Sequence, residues 1–412
     1  MEEIKTIIEQ CLNCKNPTCN SGCPAGNNIA DFILLAKKGQ IDEAYELISK
    51  TSTLPSICSL VCPFEKQCMK ACIKSKIGKP VEIPKIENYI ANNANIKIPT
   101  IINNNKKIAI VGSGPSGLAC AEKLAYKGYN ITIYDSYNTP GGILTYGIPE
   151  FVLSKQVVDK KIEYIKSLGV NFVMKHKLQK DINLSDLISK YDAIYLAVGA
   201  AVGKRMDAKN NNVAGVIDAN VFLEKMFKKE FDEFKDITNC LVIGGGNTAI
   251  DAARSAKRLL NCDVSIVYRR SENEMPANKK DINLAKQDGI KFNFLSNPIE
   301  YIGENKVKEV ECIKMKLVQV ENDRPRPVII ENSNYKIKAE LVIEAISSSV
   351  DKTISSLFET TSWNTIKVNE NMQTSIDKVF AGGDVVSGPS LVVTAMKDGI
   401  NAAESIDKYL NK

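Results

Sequence analysis

The sequence predicts an α/β protein in which a small helical domain precedes two domains built on parallel sheets flanked by helices. Three observations support this prediction. Eight of the twelve cysteines lie within the first 72 residues. Two segments, 107–134 and 240–268, each read as a buried strand, a glycine-rich turn, a helix and a second strand. A further short strand, 379–381, leads into Gly382, Gly383 and Asp384.

The N-terminal cysteines form two runs. Cys11, Cys14, Cys19 and Cys23 make up CxxCxxxxCxxxCP. The second run, CxxxCPxxxxCxxxC, contains Cys58, Cys62, Cys68 and Cys72. Both are similar in style to the ferredoxin runs in which thiolates hold 4Fe-4S clusters and proline follows the last cysteine. Two 4Fe-4S clusters are therefore the leading interpretation.

Disulfides, structural zinc and buried apolar thiols are the alternatives. Residues 1–10 lack the basic start and apolar core of a secretory signal, so we expect reduced thiols in the cytoplasm. Zinc sites usually pair two CxxC knuckles or include histidine, whereas this chain has one CxxC and a single, distant His176. The remaining cysteines stand singly in apolar segments, where burial without chemistry is expected: Cys120, Cys240, Cys262 and Cys312.

Composition narrows the possible functions. A chain of 412 residues has room for about two to three domains. Its net charge of +6 is spread along the chain, unlike the concentrated basic arm of a nucleic-acid binder. No stretch approaches the roughly 20 apolar residues of a membrane helix. With one histidine, Ser-His-Asp and HExxH sites are not expected, so a cofactor should carry any chemistry.

The segment between the cysteine runs is predicted to be helical. Apolar residues recur at helical spacing over 29–38 and 42–50, with Gly39 between them. After the asparagine-rich segment 101–107, the pattern changes to strands and glycine turns, which predicts a domain boundary near residue 105. Clusters would substitute for a large core in the domain before it.

The first glycine-rich unit contains Gly112, Gly114 and Gly117 as GxGxxG between a strand at 107–111 and a helix at 118–126. This context makes it the dinucleotide fingerprint of a Rossmann-like domain. The glycines allow a tight turn and let a pyrophosphate approach the helix N-terminus. Asp135 ends the next strand, where a carboxylate would accept a hydrogen bond from a ribose hydroxyl.

The second unit has Gly244, Gly246 and Ala249 as GxGxxA, but its second strand ends in Arg269 and Arg270 instead of a carboxylate. Adjacent guanidinium groups suit a 2′-phosphate, so this site is predicted to prefer NADPH to NADH. A solvated charge pair is the alternative interpretation. The third element, Gly382 to Asp384, can direct a carboxylate at the ribityl chain of a flavin.

The chain resembles the small subunit of glutamate synthase and its relatives, among them the N-terminal half of dihydropyrimidine dehydrogenase and the large subunit of NADH-dependent ferredoxin:NADP oxidoreductase. The resemblance covers essentially the whole sequence. It rests on the segments CLNCKNPTCNSGCP, CSLVCPFEKQC, VGSGPSGLACAEKLA, GGILTYGIPEF, GGGNTAIDAAR, VYRRSENEMPA and FAGGDVVSGPSLVVTAMKDG. It departs at 151–154 (FVLS), 345–348 (AISS) and the loop 203–212.

The resemblance implies FAD on the first unit and NADPH on the second, with Asp384 on the ribityl chain and 394–399 near the isoalloxazine. Gly141, Gly142 and 147–149 would face the same flavin. The predicted nucleotide-binding residues are Gly112, Gly114, Pro115, Ser116, Gly117, Asp135, Gly141, Gly142, Gly147, Gly199, Gly244, Gly246, Asn247, Thr248, Arg269, Arg270, Gly383, Asp384 and Thr394.

The resemblance also implies that the cysteine runs interleave. One cluster would be held by Cys11, Cys14, Cys19 and Cys72, and the other by Cys23, Cys62, Cys68 and Glu87. Cys58 would then be a bystander, although ferredoxin spacing alone would select it as a ligand.

The expected domains are 1–104 with the clusters, 105–225 plus 349–412 with FAD, and 226–348 with NADPH. The expected function is an electron-input subunit, most similar to that of glutamate synthase, which passes electrons from NADPH through FAD and the clusters to a larger catalytic subunit, another flavoprotein or ferredoxin. The alternatives are a ferredoxin:NADP oxidoreductase subunit, either bifurcating or not, a dihydropyrimidine dehydrogenase subunit, and a non-catalytic iron-sulfur scaffold. No nucleic acid or membrane partner is expected.

Overall fold

The computed structural model describes residues 2–98, 100–321 and 323–412. The chain divides into two compact units. Unit 1 consists of Met1–Thr145, Glu150–Ala200 and Ser349–Lys412, and unit 2 of Tyr146–Pro149 and Ala201–Ser348. The three domains expected from the sequence, with limits at 104, 225 and 348, stay a prediction.

The N-terminal part is helical. Its helices are α1 (Glu2–Glu9), α2 (Thr18–Ser21), α3 (Ile29–Lys37), α4 (Ile41–Ser49), α5 (Pro55–Val61), α6 (Cys68–Ala71) and α7 (Ile83–Asn93), with 3₁₀ turns at Phe64–Lys66 and Ile73–Lys76. The two helices predicted between the cysteine runs are confirmed as α3 and α4. Gly39, at φ +78°, lies between them in a conformation that favours glycine. Ile29, Phe32, Ile48 and Ile86 form the centre of a small apolar core.

The first glycine-rich unit follows as β1 (Lys107–Val111), α8 (Pro115–Ala125), β2 (Asn130–Tyr134), α9 (Ile143–Tyr146), α10 (Lys155–Ser167), β3 (Asn171–Val173), α11 (Leu184–Lys190) and β4 (Ala193–Leu196). β1 is parallel to both β2 and β4. The predicted strands at 107–111 and 130–134 are confirmed. The helix begins three residues before its predicted start, because Pro115 is suited to the first helical position.

Unit 2 contains most of the next elements: β5 (Val202–Gly203), β6 (Val216–Asp218), α12 (Ala219–Lys228), β7 (Asn239–Ile243), α13 (Asn247–Leu259), β8 (Asp263–Tyr268), α14 (Lys279–Gln287), β9 (Lys291–Phe294), β10 (Ser296–Ile302), β11 (Glu309–Val318), β12 (Arg326–Ile329), β13 (Tyr335–Lys338), β14 (Leu341–Glu344) and β15 (Ser348–Ser349). A second parallel sheet has the order β6-β14-β7-β8-β9. The antiparallel strands β10 to β13 form a separate sheet.

The chain then returns to unit 1 through α15 (Lys352–Ser355), β16 (Val379–Ala381), α16 (Asp384–Ser387) and α17 (Val392–Leu410). β16 completes the first sheet, whose order is β16-β4-β1-β2-β3. The predicted α/β fold class, with a helical N-terminal part and two Rossmann-like sheets, is confirmed. The four single cysteines are buried, as expected: Cys120, Cys240, Cys262 and Cys312.

Across residues 2–98, 100–321 and 323–412, none of the helices has the length and apolar character needed to cross a bilayer.

Candidate nucleotide and iron-sulfur sites

The three glycines after β1 have different physical roles. A Cβ on Gly112 would lie 2.2 Å from the Ala197 carbonyl oxygen, and one on Gly117 would lie 1.9 Å from the Gly112 oxygen. Both glycines are therefore required by close backbone approaches. A Cβ on Gly114 would meet no described atom within 4 Å. Gly114 is also the N-cap of α8 without a side-chain cap, so the first amides of this helix face open space that suits a pyrophosphate.

The turn after β7 repeats this arrangement. A Cβ on Gly244 would lie 2.3 Å from the Ala345 oxygen, whereas one on Gly246 would meet nothing within 4 Å in the described part of the chain. Gly246 is the N-cap of α13, again without a side-chain cap. Asn247 Oδ1 accepts a hydrogen bond from the Asn278 amide at 2.9 Å. The buried Asn278 Oδ1 has no partner among the described residues, which leaves an acceptor beside this turn.

Asp135 is turned toward the first glycine turn. Its Oδ2 accepts from the amide and the hydroxyl of Ser113, at 2.7 and 2.5 Å, and its Oδ1 accepts from the Tyr137 amide at 2.9 Å. The side chain is buried. The structure therefore places Asp135 at the predicted strand end, with both oxygens bonded to the protein. Its role toward a ribose hydroxyl stays a prediction.

Other predicted flavin-site residues gather around the same turn. The Gly141 amide donates to Ser113 Oγ at 3.0 Å, and a Cβ on Gly142 would lie 3.0 Å from Gly114 Cα. Gly199 follows β4 with φ +72°, a conformation that favours glycine. Gly147 belongs to the segment Tyr146–Pro149, which is grouped with unit 2.

The Gly383–Asp384 turn lies against the start of α8. A Cβ on Gly383 would lie 3.0 Å from Ser116 Cβ, and one on Gly399 would lie 2.1 Å from the Ser116 oxygen. Ser116 Oγ is hydrogen-bonded to the Tyr195 hydroxyl at 2.6 Å. The structure thus packs the turn after the edge strand β16 against the helix that follows the central strand β1.

Asp384 and Thr394 are connected through a third side chain. Ser390 Oγ donates to Asp384 Oδ1 at 2.8 Å and lies 3.0 Å from Thr394 Oγ1. Burial raises the pKa of Asp384, and the same cause raises the pKa of Asp398, which accepts from the Gly383 amide at 3.0 Å. Asp398 was expected only as part of the segment 394–399, and Ser390 was not expected, although it lies in the same Gly-Gly-Asp segment.

The predicted arginine pair is not symmetrical. Arg269 is exposed, whereas Arg270 Nε donates to the Pro325 carbonyl at 2.9 Å. Arg324 Nη2 lies 3.3 Å from the Tyr268 hydroxyl and also donates to the Glu274 carbonyl. A third guanidinium therefore reaches the end of β8. Arg324 is not predictable from the motif, because it lies outside the βαβ unit and its charge alone does not mark it.

Four of the predicted cluster ligands line a single pocket. Its volume is about 380 Å³, part of it open to solvent. The cysteines in its wall are Cys11, Cys14, Cys19 and Cys72, and its other lining residues include Leu12, Ile33, Ile73 and Lys74. Burial raises the pKa of Cys19 to about 11, so iron would have to displace a proton there.

The remaining ligand candidates form a second group. Burial raises the pKa of Cys23 and of Cys68, a hydrogen bond with Cys58 raises that of Cys62, and the nearby Glu87 adds to the shift of all three thiols. Glu87 is buried on α7, where burial raises the pKa of its carboxyl to about 8. The Asn27 amide is 3.4 Å from Glu87 Oε1. Cys58 is hydrogen-bonded to Cys62 one turn along α5, so geometry brings both Cys58 and Glu87 to this group.

These donor sets fit the expected groups. Eight thiols and one buried carboxyl divide between two places, and thiolate is the ligand of 4Fe-4S clusters. Within the described residues, no three His, Cys, Asp or Glu side chains converge closely enough to hold a single metal ion. A Cβ at Gly114 or Gly246 would meet no described atom within 4 Å, and such open space beside the N-terminus of a helix suits the pyrophosphate of a dinucleotide.

Comparisons with known proteins agree with this division. Residues 106–399 match the family model for pyridine nucleotide-disulphide oxidoreductase, and residues 1–98 match that for dihydropyrimidine dehydrogenase domain II, 4Fe-4S cluster. The glutamate synthase [NADPH] small chain of Escherichia coli is 34% identical over 99% of this chain and 92% of its own length. The NADP(+)-dependent formate dehydrogenase subunit beta of Moorella thermoacetica is 30% identical over 96% of this chain and 60% of its own length.

A solved structure supports the fold. Mycobacterium tuberculosis FprA in complex with NADPH has a TM-score of 0.65 at 19% identity, covering 74% of this chain and 85% of that one. The predicted family, the fold class and the cofactors FAD, NADPH and 4Fe-4S clusters are confirmed. The chain belongs to the pyridine nucleotide-disulphide oxidoreductase family and, along nearly its whole length, to the family of glutamate synthase small chains.

Proposed function

We propose that this chain is the NADPH-oxidising electron-input subunit of a glutamate synthase. The observation that carries the proposal is the occurrence, in one chain, of two glycine turns that open beside a helix N-terminus and two separate groups of cysteine side chains, one of them with Glu87. When bound, NADPH and FAD supply hydride transfer and the clusters supply one-electron transfer.

The residues of the first Rossmann-like sheet would bind and orient FAD. The amides at the start of α8 face the pyrophosphate position, and Asp135 holds the turn that presents them. Asp384 would accept a hydrogen bond from the ribityl chain, while Ser390 fixes its carboxylate. Asp398 holds the Gly383 amide and so supports the same turn.

The residues of the second sheet would select NADPH. Gly246 and Asn247 open α13 toward the pyrophosphate, and Arg269 extends its charge from the end of β8, where a 2′-phosphate would lie. Arg324 adds a further guanidinium at this strand end.

The order in which electrons pass through the two cluster groups can be proposed from what each group lies next to. α5 carries Cys58 and contacts α17, and Ser52 Oγ lies 3.4 Å from Met396 Sδ on α17. The group around Glu87 therefore lies on the flavin side of the N-terminal helices. The pocket around Cys11 opens to solvent. Electrons would pass from the flavin to the Glu87 group, then to the Cys11 group and out of the chain.

The larger partner would be the large subunit of glutamate synthase, which is supported by the 34% identity to an Escherichia coli small chain over most of both sequences. We place the protein in the cytoplasm, since reduced thiols and cluster ligands require a reducing compartment. A second candidate is the electron-input subunit of an NADP-dependent enzyme of another kind. The similarity to a formate dehydrogenase beta subunit favours it, although the present chain spans 60% of that relative.

Anaerobic purification of the native complex would test the proposal. We expect about eight irons, for two clusters, and one FAD per chain. NADPH should bleach the flavin absorbance, and a glutamate synthase large subunit should co-purify. Absence of flavin bleaching by NADPH would refute the electron-input role, and co-purification of a different catalytic subunit would favour the second candidate.

A further inference from the structure

We propose that Asn27 and Thr51 hold the Glu87 carboxylate in the position from which it binds the second cluster, and that they thereby help to set the reduction potential of that cluster. Neither residue belongs to a predicted motif. The inference rests on the proposed function, in which the Glu87 group receives electrons from the flavin first. It adds two positioning residues that do not themselves bind iron.

The three side chains form a hydrogen-bonded chain. Thr51 Oγ1 donates to Asn27 Oδ1 at 2.6 Å, and Asn27 Nδ2 lies 3.4 Å from Glu87 Oε1, at the long end for such a bond. A carboxylate oxygen can only accept a hydrogen bond, so the amide must present Nδ2 to Glu87 and Oδ1 to the donor hydroxyl. Thr51 therefore fixes which end of the Asn27 amide faces Glu87.

This chain lies in apolar surroundings that are largely closed to water. Asn27 is 4% exposed and Glu87 9%. Their sequence neighbours Ile29 and Ile86 belong to the apolar core of the N-terminal helices. A carboxylate buried in such surroundings is normally paired, hydrogen-bonded or bound to a metal ion. Asn27 supplies a donor to Oε1, which leaves Oε2 as the oxygen for iron.

Asn27 also contacts a second candidate ligand. Its backbone amide is hydrogen-bonded to the Cys23 thiol, and the same thiol is affected by the charge of Glu87. One residue therefore donates to two predicted ligands of one cluster, through its backbone to sulfur and through its side chain to oxygen. Hydrogen bonds to the ligands are among the factors that set the potential of an iron-sulfur cluster.

The loop that carries Thr51 is anchored to the Rossmann-like part of unit 1. Lys123 Nζ, on α8, donates to the Ser49 carbonyl at the end of α4, at 2.8 Å. Ser52 Oγ lies 3.4 Å from Met396 Sδ on α17. The position of the Glu87 carboxylate is therefore referred to helices of the predicted flavin site as well as to the N-terminal helices.

The test compares matched substitutions in the anaerobically purified holoprotein. Thr51→Val removes the hydroxyl that orients the amide, and Asn27→Ala removes the donor to Glu87. Thr53→Val is the matched control, because Thr53 is buried in the same loop and its Oγ1 has no hydrogen-bond partner in the described part of the chain. Thr51→Ser keeps the hydroxyl and should restore the wild-type properties.

The measurements are the iron content and a redox titration followed by low-temperature EPR. The relevant cluster is the one whose EPR signal changes in Glu87→Ala. Asn27→Ala should shift its one-electron reduction equilibrium about tenfold toward the oxidised form, or about 59 mV to lower potential, because the lost donor no longer stabilises the charge of the reduced cluster. Thr51→Val should shift it less and in the same direction, and the control should not shift it.

A merely structural role predicts lower stability without a change of potential. If Asn27→Ala does not assemble the cluster, Thr51→Val and its rescue by Thr51→Ser decide. The proposal is overturned if Thr51→Val and Thr53→Val have equal potentials, or if Glu87→Ala changes neither cluster signal.

Bleaching of the flavin by NADPH, measured on the wild-type protein, reports the proposed function separately. Normal bleaching with unshifted potentials in the variants refutes the positioning inference alone. Absent bleaching with shifted potentials refutes only the electron-input role.

Discussion

The carboxylate of Asp135 accepts two hydrogen bonds from Ser113, one from the amide at 2.7 Å and one from the hydroxyl at 2.5 Å. Ser113 Oγ in turn accepts from the Gly141 amide at 3.0 Å. One buried acid therefore ties the glycine turn after β1 to the end of β2 and, through Ser113, to the turn at Gly141. The residue predicted from the motif as a ribose acceptor also positions the loop that would hold the pyrophosphate.

Substitutions at this pair should affect FAD retention to different extents. Ser113→Ala removes one hydroxyl and should cost about 1 kcal/mol of binding free energy. Asp135→Ala removes the acceptor of the buried Ser113 amide and one acceptor of the part-buried Tyr137 amide, and should cost about 1–3 kcal/mol more. The Kd for FAD, measured by flavin fluorescence, should rise in that order. Equal Kd values for Asp135→Ala and wild type would contradict the positioning role.

The three arginines near β8 should differ in their effects on NADPH and NADH, because they make different contacts. Arg269→Gln should raise the KM for NADPH about tenfold or more and leave the KM for NADH nearly unchanged, because only NADPH carries the 2′-phosphate. Arg270→Gln and Arg324→Gln also lose bonds within the protein, to the carbonyls of Pro325 and Glu274 respectively, and should affect both nucleotides. Steady-state kinetics with a dye acceptor measures both constants. Equal losses for the two nucleotides in Arg269→Gln would refute the selectivity.

The fourth ligand of the second cluster can be identified by substitution. Cys58→Ala should leave about eight irons per chain, whereas Glu87→Ala should alter one cluster signal, because the resemblance names Glu87 as the ligand. Iron analysis and low-temperature EPR of the dithionite-reduced proteins provide the measurement. Loss of a cluster in Cys58→Ala, with both clusters kept in Glu87→Ala, would show that Cys58 is the ligand and Glu87 is not.

A buried ion pair joins α8 to α10. Glu122 pairs with Lys161, and their side chains are 4% and 8% exposed. Lys161→Met leaves the buried Glu122 carboxylate without its partner and should lower the free energy of unfolding by about 3–5 kcal/mol. The double variant Glu122→Leu/Lys161→Met should recover most of that lost stability.

The control for this pair lies on the same helix. Lys166 pairs with Glu163 at 2.8 Å, but both side chains are exposed, so Lys166→Met should cost less than about 1 kcal/mol. Urea unfolding followed by far-UV circular dichroism measures all three variants. A Lys161→Met effect no larger than that of Lys166→Met would show that the buried pair contributes little.

The sequence alone determined the features that depend on short spacing. Three glycines were predictable because each has a fixed place in the strand–turn–helix motif: Gly112, Gly117 and Gly244. The structure shows the backbone contacts that exclude a Cβ at each of them. The strands and helices of both βαβ units were predictable for the same reason, since their apolar periodicity is local.

Only the tertiary structure shows which distant residues share a site. Cys72 lies in one pocket with Cys11, a grouping that the family resemblance implied but that the spacing of its own run, which also contains Cys68, does not encode. Arg324 reaches the end of β8 from a loop between β11 and β12. Spacing along the chain encodes local geometry, whereas these groupings form only when separate helices and strands pack, and that packing depends on the whole apolar core.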